Sequence, residues 1–108
     1  MTKRTTVPTF TATIYTGAHK GIEARSIIQR YVDEVGLCVT ITETEFIYTG
    51  GHEKGYAVGL INYPRFSAEP RDIKKKALCL AHRLRKGLGQ TRVSVVCSDE
   101  TIMLGPID

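Results

Sequence analysis

Few residues of this sequence have the types and spacing that catalysis requires. Glu43 and Glu45 stand two apart, so on a regular strand they share one face, where paired carboxylates can exchange protons with a substrate. The three histidines lie far from one another, and none is spaced from a cysteine or an acid as helical metal ligands are. No Ser-His-Asp order indicates an activated nucleophile. The residues alone predict no catalytic residue, no metal site and no cofactor.

Two short segments carry candidate ligand-binding residues. The loop 17–21 runs from a strand into a helix and holds His19 and Lys20 beside amides that could bind an anion. A plain glycine turn is the commoner reason for such a sequence. The segment 62–66 leaves a strand with Tyr63 and Arg65, and it either lines a pocket rim or packs as a loop. Together with Tyr15, these four residues form the predicted ligand-binding set, in a pocket between two protomers.

The segment Lys54-Gly55-Tyr56-Ala57 resembles the opening of the strand-3 signature of RNA-recognition motifs. The resemblance implies that Tyr15 and Tyr56 stack on bases. Val58 and Ile61 stand where that signature has further aromatic residues, so the match is partial. The basic residues that could then contact nucleic acid are Lys54, Lys75 and Arg85.

Periodic patterns define the elements that must position these side chains. Phe10, Ala12 and Ile14 alternate with polar residues, which predicts a strand over 9–16. Apolar stripes predict helices over 22–35 and from Pro70 to about 87. Strands are predicted over 37–48, 56–63, 92–97 and 101–104. The sequence also predicts a bulge near Glu43, and a turn over 50–55.

The resulting order, βαββαβ, predicts an α+β ferredoxin-like fold. We expect a four-stranded antiparallel sheet with both helices on one face, plus a short C-terminal strand. The whole chain, 1–108, is predicted to form one domain with an ordered core over about 9–104. Two helices leave the other sheet face without cover, so that face is predicted to bind a ligand or to form a homo-oligomer.

Composition narrows the class of protein. The chain has 108 residues, 42% of them hydrophobic, and no apolar run near the ~18 residues that a membrane span needs. The N-terminus lacks the apolar segment of a secretory signal, which favours a cytoplasmic protein without membrane contact. Three widely spaced cysteines are predicted to be reduced thiols. Residues 65–92 carry nine Lys/Arg against Glu69 and Asp72, a basic surplus that could contact phosphates but is more typical of a solvated face.

From Thr11 to Leu104 the chain is similar to a group of small, uncharacterised bacteriophage proteins. The segments that carry this resemblance are 36–40, 45–51 and 59–66. It implies a phage accessory protein in the cytoplasm of a bacterial host, and it transfers no functional residue. The resulting prediction is a non-enzymatic counter-defence protein that captures an anionic, nucleotide-like ligand or a host protein. The alternatives are an RNA-binding module and a small dimeric enzyme of the same fold.

Overall fold

The computed structural model describes residues 1–106. Its strands are β1 (Thr11–Gly17), β2 (Val39–Tyr48), β3 (Gly51–Ile61), β4 (Val93–Cys97) and β5 (Thr101–Leu104). Its helices are α1 (Ala24–Val35) and α2 (Pro70–Gly87), with one 3-10 turn over Pro64–Phe66. Within the described part of the chain, no helix is long and apolar enough to cross a membrane.

The five strands form one antiparallel sheet in the order β2-β3-β1-β4-β5. This is the predicted ferredoxin-like arrangement, and the short C-terminal strand extends it beside β4. Both helices pack on the sheet face that carries Ala12, Ile14 and Val58, where they enclose the hydrophobic core. The fold class read from the sequence is therefore confirmed.

Both helices bury the apolar stripes that the sequence indicated. The α2 stripe is buried throughout, at Ile73, Ala77, Leu80, Ala81, Leu84 and Leu88. Pro70 occupies the first turn of α2, and Gly36 ends α1 with a left-handed φ of 71°. Burial of these stripes is the main contribution to the stability of the fold.

The opposite sheet face has no cover from the described residues, and we call it the open sheet face. Alternate residues of each strand point to it, because successive side chains of a strand lie on opposite sides. Its large exposed members are Tyr15, Ile61, Val96 and Met103, with Tyr48 at the hairpin end. Cys97 is buried on the helix side, whereas Cys38 and Cys79 are exposed. All three are free thiols.

The hairpin of β2 and β3 differs from the prediction. Its strands pair without a break from Val39 opposite Leu60 to Tyr48 opposite Gly51, so the predicted bulge is absent. The predicted turn over 50–55 is also wrong, since the chain reverses at 49–50, where Gly50 has φ of 89°. Both faces of this hairpin end meet solvent. The start of β3 therefore needs no apolar alternation, and the sequence pattern missed its residues 51–55, whereas β2 was predicted as far as Tyr48.

Lys74 fastens α2 to the β4–β5 turn. Its amino group donates to Asp99 over 2.7 Å and also pairs with Glu100. The hydrogen bond from Lys74 is the main reason that the pKa of Asp99 lies below its ordinary value of 3.8. The two acids, with Asp99 as the leading hydrogen-bond partner, raise the pKa of Lys74.

We expect Lys74→Met to lower the melting temperature at pH 6 but not below the folded-state pKa of Asp99. An acid whose pKa is depressed on folding stabilises the fold above its unfolded value, here near 3.8. That contribution disappears as pH falls through the lower folded value. Thermal melts of both proteins between pH 2 and pH 6 would show the difference shrink on acidification. A difference that is constant with pH would contradict the ion-pair explanation.

Gly55 allows β3 to lie close to the end of β1. A methyl group at this position would collide with the carbonyl oxygen of Thr16 and with the ring of Phe46. Because the first obstacle is backbone, the sheet itself must move to accommodate the methyl group. The Phe46 ring in turn meets Tyr15 edge-on, with ring centroids 6.3 Å apart.

We expect Gly55→Ala to lower the free energy of unfolding by about 2 kcal/mol, within the range for overpacking a well-filled site. Gly59→Ala is the matched control in the same strand. Its methyl group would meet only the hydroxyl of Thr40, which can rotate away. Urea unfolding of the two variants measures both costs. Equal costs would show that the backbone contact at Gly55 is not limiting.

Candidate functional site

A groove lies on the helix side of the sheet, where the β2–β3 hairpin extends past the other elements. Two adjacent cavities of about 390 and 480 Å³ share Glu43 and Tyr56 as lining residues. Each volume is in the range of small-molecule sites, roughly 300–1,000 Å³. We call this continuous depression the Glu43–Tyr56 groove.

The position of the groove follows from unequal strand lengths. β1 ends at Gly17 opposite Gly55, whereas the β2–β3 hairpin continues for several residues beyond that pair. The chain then turns through loop 18–23 and starts α1 at Ala24. The hairpin, this loop and the first turn of α1 therefore form the sides of a corner that no other described element fills.

Acidic, basic and aromatic side chains meet in the groove. Glu43 lies directly opposite Tyr56 in the β2–β3 register, and Glu45 lies opposite Lys54. Arg25 lines the cavity toward α1 and Lys54 lines the cavity toward the hairpin. Such a site suits a ligand that carries an aromatic group and charges of both signs, because carboxylates attract cations and a tyrosine face attracts cations and rings.

Glu43 and Glu45 do lie on one face, but only one of the two carboxylates has a partner in the protein. Glu43 and Glu45 share the helix-side face, as their spacing predicted. Glu45 contacts His52 across the hairpin at 3.2 Å, between Oε2 and Nδ1. Glu43 has no hydrogen bond or ion pair among the described residues and lines both cavities. Glu43 is therefore the carboxylate free to meet a ligand. In residues 1–106, no three His, Cys, Asp or Glu side chains are grouped to hold a metal.

The predicted ligand-binding residues do not meet within one chain. His19 and Lys20 lie in the β1–α1 loop, where the Ile22 amide donates to the His19 carbonyl oxygen at 3.1 Å. Tyr63 and Arg65 follow β3 at the other end of the sheet. Seven-residue β1 separates the two groups by roughly 20 Å, at ~3.3 Å per residue. Only a second copy could bring the two groups into one pocket, as the prediction required.

The individual surroundings of these residues are also defined. Tyr15 is exposed on the open sheet face. The guanidinium of Arg65 lies 5.5 Å from the ring centroid of its neighbour Phe66. A hydrogen bond with the Cys38 thiol is the main cause that raises the pKa of Tyr63. Tyr63 and Arg65 therefore have local partners within the chain.

The stacking pair of the RNA-binding alternative is wrong. Tyr15 pairs with Ala57, whereas Tyr56 pairs with Thr16, so the two tyrosines point to opposite faces of the sheet. Tyr56 is half-buried in the groove instead. Of the associated basic residues, Lys54 lies beside the groove, Lys75 is exposed on α2, and the Nε of Arg85 donates to the Thr91 carbonyl at 2.9 Å.

The sequence held a signal for the true orientation of Tyr56. Val58 and Leu60 are core residues, and Tyr56 shares their face because it stands two and four positions away. Four further lining residues lie near the start of α1 and in the preceding loop: Ala18, Ile22, Glu23 and Arg25. No sequence motif marks those four, because their proximity to Glu43 arises only from the register of the folded sheet.

Comparisons with known proteins identify the class of the fold. No protein-family model matches the sequence, and no curated protein matches it. Two solved structures match, and both are phage SAM lyases. One, in complex with S-methyl-5'-thioadenosine, has a TM-score of 0.78 and 15% identity and covers 98% of this chain and 96% of its own. The other, in the apo state, has a TM-score of 0.67 and 17% identity over 90% of this chain and 89% of its own.

These matches correct the functional prediction. The fold likeness to phage proteins agrees with the phage resemblance read from the sequence. The prediction of a non-enzymatic binding protein is wrong, because both matched structures are enzymes that extend over nearly the whole chain. Neither match is an RNA-recognition motif.

Proposed function

We propose that this chain is an S-adenosylmethionine lyase that releases S-methyl-5'-thioadenosine. The observation that carries the proposal is the 0.78 TM-score over 98% of the chain with a phage SAM lyase bound to that compound. The Glu43–Tyr56 groove supports it, since it combines an aromatic ring with charges of both signs. By removing a methyl donor in the cytoplasm of a bacterial host, such an enzyme would serve as a phage counter-defence protein.

The reaction balances without a co-reactant. The bond between the sulfonium sulfur and Cγ of the methionyl group breaks, and its electron pair goes to sulfur, which leaves as a neutral thioether. The four-carbon fragment is completed in one of two ways. Its own carboxylate closes on Cγ to give a lactone, or a base removes a Cβ proton to give an alkene. Only the second route needs a protein base.

The groove residues have distinct roles in this proposal. Glu43 pairs with the sulfonium cation, and the Tyr56 ring packs against the sulfonium or the adenine. Arg25 or Lys54 binds the α-carboxylate of the substrate. Because the positive charge on sulfur disappears in the reaction, the Glu43 carboxylate stabilises the bound substrate more than the transition state, unless it also takes the proton.

Incubation of the purified protein with S-adenosylmethionine tests the proposal directly. Liquid chromatography with mass detection should show S-methyl-5'-thioadenosine in equal amount to the substrate consumed. The lactone and the alkene are isomers of equal mass, so the second product is identified by its retention time against both standards and by mild base, which adds one water to the lactone only. Substrate that stays intact at high protein concentration, with a phage SAM lyase active in parallel, would refute the proposal.

We also propose that the chain self-associates through the open sheet face. Tyr15, Ile61, Val96 and Met103 are each between 39% and 45% exposed on this one face. The accessible surface of the chain is 7404 Å², against about 6,000 Å² for a compact monomer of its mass. The excess of about 1,400 Å² is shared between this face and the largely exposed segment 1–9, and a stable interface buries about 800 Å² per partner. A second copy would present the same apolar face.

A further inference from the structure

We propose that the helical layer binds the phosphate backbone of a nucleic acid, independently of the lyase function proposed for the groove. The surface lies on the outer side of α1 and α2, facing away from the sheet. It consists of Arg71, Lys75, His82 and Lys86 on α2, with Arg30 of α1 beside them. We call it the helical cationic surface.

The spacing along α2 aligns these side chains. At 3.6 residues per turn, positions 71, 75, 82 and 86 fall within about 60° of arc. This arc lies opposite the buried stripe of Ile73 to Leu88, and all four side chains are exposed. Arg71 and Lys75 are four residues apart, as are His82 and Lys86, which is about 6 Å along the axis. Such a row can follow successive phosphates of one strand.

A groove between the helices places Arg30 of α1 beside the basic residues of α2. This cavity, of about 400 Å³, is lined by Ser26, Ile27 and Arg30 of α1 and by Arg83, Lys86 and Gly87 of α2. A side chain at position 87 would meet Ile27, so the absence of one lets the helices pack closely there. Cations from two helices thus converge on one depression, which a single solvated helix face does not produce.

The charges of this surface are available to a ligand. Three other basic residues of α2 are already engaged: Lys74 with Asp99 and Glu100, Arg83 with Glu34 at 2.7 Å, and Arg85 with Thr91. Among the described residues, no hydrogen bond or ion pair occupies Lys75 or Lys86. The neighbouring acids of α1 are in turn bound, Asp33 to Gln29 at 2.9 Å and Glu34 to Arg83.

The character of the surface favours sequence-independent binding. α2 contains no aromatic residue, and the one aromatic side chain of α1, Tyr31, is buried beneath Arg83, whose guanidinium lies 4.8 Å from its ring centroid. Base stacking is therefore absent, and phosphate contacts supply the affinity. Because the helical layer faces away from the open sheet face, self-association would leave it exposed.

Fluorescence anisotropy with a labelled 20-base-pair DNA duplex tests the inference, from 50 to 300 mM salt. Each phosphate contact contributes about −0.9 to the slope of log Kobs against log salt. We expect Lys75→Gln/Lys86→Gln to make that slope shallower by about 1.8 and to weaken binding at least tenfold at 50 mM salt. The double variant Lys20→Gln/Lys54→Gln removes the same charge outside the helical layer and should change neither by half as much.

Two outcomes would overturn the inference. The first is that the wild-type protein binds neither duplex nor single-stranded DNA at 50 mM salt. The second is that the two double variants weaken binding equally, which would show that net charge alone attracts the DNA. Either result leaves the lyase proposal untouched, because that proposal depends on product formation in the Glu43–Tyr56 groove.

Discussion

The Glu43→Gln variant is expected to lose at least tenfold in kcat/KM for cleavage of S-adenosylmethionine. The carboxylate lines both cavities of the groove and has no partner in the described chain, so its charge is available to the sulfonium. A hydrogen bond or ion contact to a charged group contributes about 1.5–3 kcal/mol. Since about 1.4 kcal/mol is a factor of ten, the lower end of that range already gives the expected loss.

The way in which the loss divides between kcat and KM identifies the role of Glu43. If it only pairs with the sulfonium, the amide variant should raise KM without lowering kcat, because the carboxylate then stabilises the bound substrate at least as much as the transition state. If it also removes the Cβ proton, kcat should fall as well, and the second product of the wild-type enzyme should be the alkene. Steady-state kinetics with product detection separates these roles.

Glu53→Gln is the matched control for this prediction. Glu53 is exposed on the same hairpin but pairs with Phe46, so its side chain points to the other face. The substitution removes the same charge at a similar position in the sheet. Equal activity losses in both variants would show that the groove is not the substrate site, even if the protein does cleave S-adenosylmethionine.

The sequence was sufficient for the fold because its apolar patterns were regular where packing is tight. Ala12 and Ile14 alternate with polar residues, and Ile73, Ala77, Leu80 and Leu84 repeat at helical spacing; all are buried. The unpaired sheet face followed from the number of elements alone. In these regions the local sequence pattern agrees with the fold, because the buried positions accept only apolar side chains.

The sequence drew attention to Glu43, Lys54 and Tyr56 separately but did not show that they line one groove. The hairpin end is a two-stranded ribbon that water reaches from both sides, so no apolar alternation marks residues 51–55 or the tight turn before them. Glu43 and Tyr56 stand thirteen positions apart and meet only because β2 and β3 keep an unbroken register. The bulge that the sequence predicted near Glu43 would have turned Glu45 and the residues after it to the other face. The unbroken register of β2 and β3 therefore determines which side chains line the groove.

The Val96→Lys variant is expected to run as a monomer of 12.0 kDa, whereas the wild-type protein should be larger. Val96 lies on the open sheet face between β1 and β5, opposite Thr13 and Thr101 in these neighbouring strands, and is 41% exposed. In a single chain a lysine there can extend into water at little cost. In an assembly of two copies it would be buried without a partner, which costs several kcal/mol.

Size-exclusion chromatography with light scattering at about 50 µM protein measures this shift, and Gln29→Lys on α1 is the control with the same added charge on the helical layer. A monomeric wild-type protein would contradict self-association.

The monomeric variant also separates two forms of the lyase proposal. If it retains the wild-type kcat/KM, the Glu43–Tyr56 groove is complete within one chain. If activity disappears together with assembly while the melting temperature is unchanged, a neighbouring copy must supply part of the site, because Val96 lies on the opposite face of the sheet from Glu43.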